Sequence, residues 1–227
     1  MARERSILDR IKPVGEWDWP DPLEDNCFDW MDVRKIDATR LKKCVDTATR
    51  EEDIQAFLQT RPISLVQHLG GGHGRYVFPK PRLGSEHVAD FILAERDSDG
   101  LTWHLVELES SHARMFTKAG NPSKELTHAI RQIADWRIWI GKNQNYASRP
   151  KADNGLGLED ITNNALGLII IGRRSDNDSS NNARRQLLAH DNRIEIHSFD
   201  YLIDRCTWGA EASQSMRGRS KRSAKKK

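Results

Sequence analysis

Cysteine is scarce in this chain of 227 residues. The three cysteines, Cys27, Cys44 and Cys206, are scattered, and no two of them have the spacing of a zinc site. Nothing in this odd-numbered set demands a disulfide, and disulfides are typical of oxidising compartments. The cysteine pattern therefore favours a protein of a reducing compartment.

Long hydrophobic runs are missing as well. The first ten residues, MARERSILDR, contain no apolar signal region, and no apolar run reaches the length that spans a membrane. Apolar residues make up only 37% of the chain and the mean hydropathy is -0.72, yet the aliphatic runs are concentrated enough to build one sheet core. We expect a cytoplasmic protein with one domain of ordinary size, additional tails and no membrane partner.

Charge of one sign is missing from two segments. Residues 16–33 contain seven acids and no Lys or Arg, and residues 217–227 contain seven basic residues and no acid, although the whole chain carries only +3. Such a basic tail is expected to be solvated, either contacting polyanions or only aiding solubility. We predict an irregular Trp-rich acidic arm at 1–37, a folded domain at 38–208 and a disordered basic tail at 209–227.

The glycine-rich stretch 69–74, LGGGHG, lacks the features of a phosphate-binding loop. The Lys-Ser/Thr ending and the helix that would follow it are both absent. His73 within this stretch is expected to be incidental. The sequence therefore indicates no small-molecule cofactor.

Hydrophobic periodicity predicts helices that alternate with strands. We expect a helix over 37–60, and two β-patterned runs at 88–94 and 101–109 are separated by an acidic turn with a glycine, which is a hairpin signal. Ser123 can cap the long amphipathic helix that follows the loop 110–122.

One further strand is predicted to be buried on both faces. Residues 165–172, ALGLIIIG, form a near-continuous apolar run, which is typical of such a strand. The remaining predicted elements are an edge strand at 75–79, a helix at 181–190, a strand at 193–199 and a helix at 199–206. The order indicates an α/β fold with a mixed sheet.

Three carboxylates interrupt the predicted apolar strands. Asp90 lies in VADFIL, and Glu107 and Glu109 lie in LVELES, where they share one face because side chains alternate along a strand. Burying an acid is costly unless it has a partner, and three converging acids indicate a divalent cation such as Mg²⁺, which prefers oxygen ligands. The alternative is that Asp90 and Glu107 are structural acids in salt bridges, for instance with Arg75 or Arg82.

Histidines flank the same region without an obvious role. No two of them have the spacing of a pair of metal ligands, so we expect them to be exposed or to have their hydrogen bonds satisfied within the fold. They are His87, His104, His112 and His128.

The order of elements and acids resembles the restriction-endonuclease-like, or PD-(D/E)xK, nucleases. Ala89-Asp90 stands at the Pro-Asp step, and Glu107-Leu108-Glu109 stands at the acid-x-Lys step. More specifically, the run VELESSHARMFTKAGNPSKELTHAIRQIADWRIWI resembles the Shedu family of bacterial antiphage nucleases. The segments EEDIQAFLQTRP and IEIHSFDYLIDR also resemble that family, so the resemblance covers roughly residues 50–206.

This resemblance implies a fold, a reaction and a set of site residues. The fold would be a restriction-endonuclease-like αβββαβ core whose mixed central sheet is flanked by helices. The reaction would be hydrolysis of DNA, with Mg²⁺ (or Mn²⁺) neutralising charge and activating water. Asp90 and Glu107 would be metal ligands, Glu51 would orient a metal-bound water, and Gln132 would hold the site or the substrate.

One position departs from the family pattern. The pattern has a lysine two residues after the acid, where this chain has Glu109. The role of that lysine, polarising water and stabilising developing charge, is then vacant or supplied from elsewhere, with Lys118 as the best candidate and Lys124 as the second. Equally, Glu109 is an extra ligand or the site is inactive.

The resemblance implies a role in antiphage defence, DNA as partner and a homo-oligomer. A first alternative is a nuclease fold that has lost its lysine and binds nucleic acid or a protein partner without cutting. A second alternative is an interaction protein whose Trp-rich acidic arm docks onto a partner.

Overall fold

A five-stranded sheet forms the centre of the molecule in a computed structural model that describes residues 22–176 and 179–224. Two further short strands pair with each other outside this sheet. The strands are β1 (Gly74–Pro79), β2 (Arg82–Leu83), β3 (His87–Val88), β4 (Phe91–Asp97), β5 (Gly100–Leu108), β6 (Leu166–Ile170) and β7 (Ile194–His197).

The central sheet is mixed. Its strand order is β1-β4-β5-β6-β7, in which β1, β4 and β5 are antiparallel neighbours while β5, β6 and β7 run parallel. The hairpin of β4 and β5 and the buried strand β6 are present as the sequence predicts, but β4 begins at Phe91 rather than at residue 88, so Asp90 precedes the strand instead of lying within it. The predicted α/β class with a mixed sheet flanked by helices is confirmed, and the arrangement is consistent with a restriction-endonuclease-like core.

Helices cover both faces of the sheet. No helix in the described ranges is both long enough and apolar enough to cross a bilayer. The helices are α1 (Lys35–Thr47), α2 (Glu51–Thr60), α3 (Ile63–Val66), α4 (Lys124–Lys142), α5 (Gln144–Ser148), α6 (Ser179–Asn192) and α7 (Phe199–Ala224).

The single helix predicted over 37–60 is wrong, because the chain leaves the helical conformation between α1 and α2. Ala48 is extended, and the carboxylate of Asp53 accepts hydrogen bonds from the backbone N–H groups of Thr49 and Arg50 at 3.3 and 3.2 Å. These bonds cap a new helix and compete with continuation of the first one. The break lets α2 begin at Glu51.

Alternate residues of β4 and β5 pack into two separate cores. Ile92 and Leu105 belong to the core that also contains residues of α4, whereas Leu93 and Val106 belong to the core that also contains residues of α1, α2 and α7. Because β5 alternates in this way, Glu107 is on the α4 side of the sheet.

Gly167 in β6 makes room for α4. A Cβ atom added there would lie 2.5 Å from Cγ2 of Ile194 and 3.0 Å from two methyl carbons of Ile133 in α4. We expect Gly167→Ala to lower the free energy of unfolding by about 1 to 3 kcal/mol, because overpacking forces neighbouring side chains out of place. Urea denaturation checks this, with Gly72→Ala as the control because an added Cβ there meets nothing within 4 Å. Equal midpoints for both variants would contradict the packing argument.

The described part of the acidic arm packs against β1. Leu23 is fully buried, and the backbone N–H of Phe28 donates to the carbonyl of Arg75 at 2.8 Å. The guanidinium of Arg75 lies 5.3 Å from the ring centroid of Trp30, within the range of a cation–π contact. The predicted arm residues 1–21, which include Trp17 and Trp19, lie outside the described residues.

The prediction of a disordered tail from residue 209 is wrong as far as Ala224, because α7 continues to that residue. Ser213 is buried and its hydroxyl donates to the carbonyl of Met31 at 2.5 Å, and Arg217 donates to the same carbonyl at 2.7 Å. These bonds tie the helix to the arm, a contact that the basic composition of the segment does not reveal. Residues 225–227 lie outside the described residues.

Candidate metal centre

Asp90 lies one residue before β4 and is buried. Both oxygens of its carboxylate accept hydrogen bonds. Its Oδ2 accepts the backbone N–H of Leu108 at 2.8 Å. Its Oδ1 accepts from Lys80 Nζ at 3.0 Å and from the side-chain amide of Gln55. The bond to Leu108 fixes this carboxylate at the end of β5, beside the two glutamates of that segment.

Among the acids of the site, Glu107 has the pKa that is raised furthest. It is only 5% exposed and accepts a hydrogen bond from the amide of Gln132 in α4. Burial, followed by the negative charges of Asp90, Glu109 and Glu51, raises the pKa of Glu107 to about 9. Because each of these charges acts on Glu107, the predicted acids lie within electrostatic range of one another.

Glu109 follows β5 and lies next to a histidine of α4. Its backbone N–H donates to the carbonyl of Ile170 at 2.9 Å, and its carboxylate Oε1 lies 3.3 Å from Nδ1 of His128. Burial raises the pKa of this carboxyl, while the His128 hydrogen bond opposes the shift. One ligand atom from each of Glu107, Glu109 and His128 lies within 4.8 Å of the others.

The prediction that His128 is exposed or hydrogen-bonded is confirmed, but the spacing between histidines does not reveal its neighbours. Its partners are carboxylates of a strand segment rather than a second histidine. It lies one helical turn before Gln132, so both side chains project from the same face of α4. That shared face, together with the two glutamates of LVELES, is the signal from which the contact could have been inferred.

Helix α2 contributes an acid and an amide from successive turns. Glu51 is the first residue of α2, and burial, followed by the charges of Asp90 and Glu109, raises its pKa to about 7. Gln55 lies four residues later, is buried, and donates to Asp90. The i, i+4 spacing from Glu51 is the signal that would have identified Gln55.

Within the ranges that the structure describes, Lys80 is the lysine that forms a salt bridge with an acid of the site, which is Asp90. It adopts a φ of 48°, an unfavourable region for an L residue, and its backbone N–H donates to the carbonyl of Asp90 at 2.9 Å. Pro79 and Pro81 flank it, so the local backbone is restricted on both sides. The ammonium is therefore held at Asp90 by both its backbone and its side chain.

The structure does not bring Lys118 to the acids. Its side chain is exposed in a turn where the Thr117 N–H donates to the carbonyl of Asn121 at 2.9 Å. Across the described ranges, neither Lys118 nor Lys124 forms an ion pair with an acid of the site. The turn keeps Lys118 in the surface loop, and Lys80 occupies the position beside Asp90 instead.

The salt-bridge alternative for the acids receives no support from the two arginines proposed for it. Arg75 donates to the carbonyl of Gly71 at 3.1 Å, and within the described ranges neither Arg75 nor Arg82 pairs with Asp90 or Glu107. The acids are instead held by amides, a lysine and a histidine.

The donor set fits a divalent cation. Four carboxyl groups, from Glu51, Asp90, Glu107 and Glu109, act on one another here, and Lys80 is the one lysine among their described ion-pair partners. Oxygen donors of this type suit Mg²⁺ and Mn²⁺. A bound cation would offset negative charge that burial makes costly.

Comparison with known protein families matches this chain to a family model described as Shedu protein SduA, C-terminal, over residues 48–203. The match covers more than half of the chain. It begins just before α2 and ends within α7, so it includes every residue assigned to the candidate metal centre. No curated protein matches the chain.

Proposed function

The chain belongs to the Shedu family, and from this premise we propose that it is a metal-dependent nuclease that hydrolyses phosphodiester bonds of DNA. Family membership suggests a role in antiphage defence. The observation that supports the proposed activity best is the convergence of a half-buried carboxylate from α2 with buried carboxylates from the bend before β4 and from the β5 segment. We propose DNA as the partner, a cytoplasmic location and, from the family resemblance, a homo-oligomer.

Asp90 and Glu107 would hold Mg²⁺ or Mn²⁺ in this proposal. A bound divalent cation supplies charge neutralisation for the phosphate and acidifies a water molecule. Gln55 and Gln132 orient the two carboxylates by donating to them. Fixed ligand orientation of this kind is what sustains metal affinity and activity.

In the reaction, Glu51 would accept a proton and Lys80 would stabilise negative charge. Glu51, with a pKa raised to about 7, can take up a proton from an attacking water near neutral pH. The Lys80 ammonium, 3.0 Å from Asp90, provides a positive charge that stabilises negative charge developing on the phosphate. Lys80 therefore takes the role for which Lys118 was the first candidate.

The second candidate function is binding of nucleic acid without cleavage. It is favoured by Glu109, which puts a carboxylate where the family pattern has a lysine. However, buried carboxylates without a cation repel a phosphate backbone, so a module that only binds gains nothing from them. In either case the basic residues of the C-terminal segment would add salt-sensitive, non-specific affinity.

A cleavage assay separates these functions. The full chain is incubated with supercoiled and linear DNA, and with RNA, in Mg²⁺, Mn²⁺ or EDTA. We expect nicking or degradation of DNA with either metal and none in EDTA, because the carboxylates act through the cation. Binding in a gel shift without cleavage would select the second function. Absence of both would reject nucleic acid as the partner and favour a protein partner for the arm.

A further inference from the structure

We propose that Glu107, Glu109 and His128 form a metal position with one nitrogen ligand, which prefers Mn²⁺ to Mg²⁺. This position would lie beside the oxygen-only position of Asp90 and Glu107, with Glu107 shared between them. The proposal rests on the proposed metal centre for its location, but it does not depend on DNA being cut.

The three side chains have separations close to those that a shared ion requires. Their ligand atoms lie within 4.8 Å of one another, and His128 Nδ1 is 3.3 Å from Glu109 Oε1. With metal–ligand bonds of roughly 2.0 to 2.3 Å, adjacent ligand atoms lie about 3 Å apart and opposite ones about 4.4 Å apart. Small side-chain rotations are therefore enough to close the site.

The backbones that carry these ligands are well anchored. Glu107 lies within β5, which pairs with β4 and β6, and the N–H of Glu109 donates to Ile170 at the end of β6. His128 lies in the first half of α4, whose start is capped by Ser123 through a 3.0 Å bond from the Leu126 N–H. Sites on such elements hold their geometry better than sites on loops.

Charge and burial favour a cation at this position. Glu107 is 5% and Glu109 8% exposed, and within the described ranges neither carboxylate has a Lys or Arg partner, since Lys80 pairs with Asp90. Two buried carboxylates without a cation are costly. The His128 side chain is 61% exposed, so an ion has a path from solvent.

The donor chemistry selects the kind of metal. Mg²⁺ binds oxygen ligands and keeps much of its water, whereas imidazole suits first-row transition metals. Glu107 and Glu109 offer carboxylate oxygens, and His128, which lies directly against Glu109, offers the nitrogen.

Metal binding to the metal-free full chain tests this position without any assay of cleavage. Mn²⁺ and Mg²⁺ affinities are measured by calorimetry for the wild type, His128→Ala, Glu109→Lys and the control His190→Ala, an exposed histidine of α6. We expect His128→Ala and Glu109→Lys each to weaken Mn²⁺ binding by at least about tenfold and to leave Mg²⁺ binding within about threefold. The control variant should match the wild type.

Pulsed electron paramagnetic resonance of the Mn²⁺-loaded protein distinguishes a direct ligand from a structural effect. The wild type should give modulation from an imidazole nitrogen, and His128→Ala should lose it. A wild-type spectrum without nitrogen coupling, or equal Mn²⁺ affinity in wild type and His128→Ala, would overturn the proposal. If nitrogen coupling is present but DNA is not cut, the metal position stands and only the nuclease function fails.

Discussion

Asp90→Asn and Glu107→Gln are each expected to lower metal-dependent DNA cleavage by more than about 100-fold. Loss of residues that merely orient metal ligands typically costs about 10- to 100-fold, so loss of a ligand charge should cost more. In Glu107→Gln the amide keeps an oxygen that can accept the hydrogen bond from Gln132. In Asp90→Asn the amide oxygen can still accept the N–H of Leu108, while the new amide nitrogen faces the donors Lys80 and Gln55 and loses those two bonds. The fold should therefore survive while the negative charge that holds the cation is lost.

Initial rates on plasmid DNA in saturating Mg²⁺ or Mn²⁺ measure this loss, and circular dichroism checks the fold. Asp135→Asn is the matched control, because Asp135 is a half-exposed acid of the same helix as Gln132 and pairs with Arg131. If a site variant keeps its rate within tenfold of the wild type, the residue replaced in that variant is not a metal ligand.

The metal-free protein should become less stable as the pH rises from about 5 to 9, and Glu107→Gln should remove much of that loss. The pKa of Glu107 is about 9 in the folded protein, against 4.5 for an unperturbed glutamate. Below pH 4.5 the carboxyl is protonated in both states and carries no penalty. Between 4.5 and 9 the unfolded carboxyl ionises while the folded one stays protonated, so the free energy of unfolding falls as the pH rises.

Urea denaturation in EDTA between pH 5 and 9 measures this effect. At pH 8 we expect Glu107→Gln to be more stable than the wild type by roughly 2 to 4 kcal/mol, and the difference should shrink towards pH 5. Saturating Mn²⁺ should stabilise the wild type more than the variant. Glu211→Gln, at an exposed position of α7, serves as the control. A wild type at least as stable as Glu107→Gln at pH 8 would refute the argument.

The two predictions concern one substitution with opposite consequences. Glu107→Gln should inactivate the protein and stabilise its metal-free form. This combination is expected where an acid is buried for function rather than for stability, because desolvation of the acid destabilises the folded protein.

The local pattern of polar and apolar residues in the sequence was enough to predict most of the sheet and part of the candidate site. Alternation in LVELES put Glu107 and Glu109 on one face, and the apolar run after Ala165 identified β6. Both features depend on side-chain periodicity within a single strand, so they can be read from consecutive residues. The break between α1 and α2 was missed because the apolar stripe continues across it, while the hydrogen bonds of Asp53 end the first helix and cap the second.

The sequence by itself determined the α/β class, the order of the hairpin and buried strand, and the identity of the acids that lie in these strands or beside their ends. Only the tertiary structure decided which side chains surround those acids: Lys80 from the turn after β1, Gln55 from α2, and His128 from α4. Each of these contacts joins residues at least ten positions apart. They depend on how α2 and α4 pack across the ends of β4 and β5, and no local propensity encodes that packing.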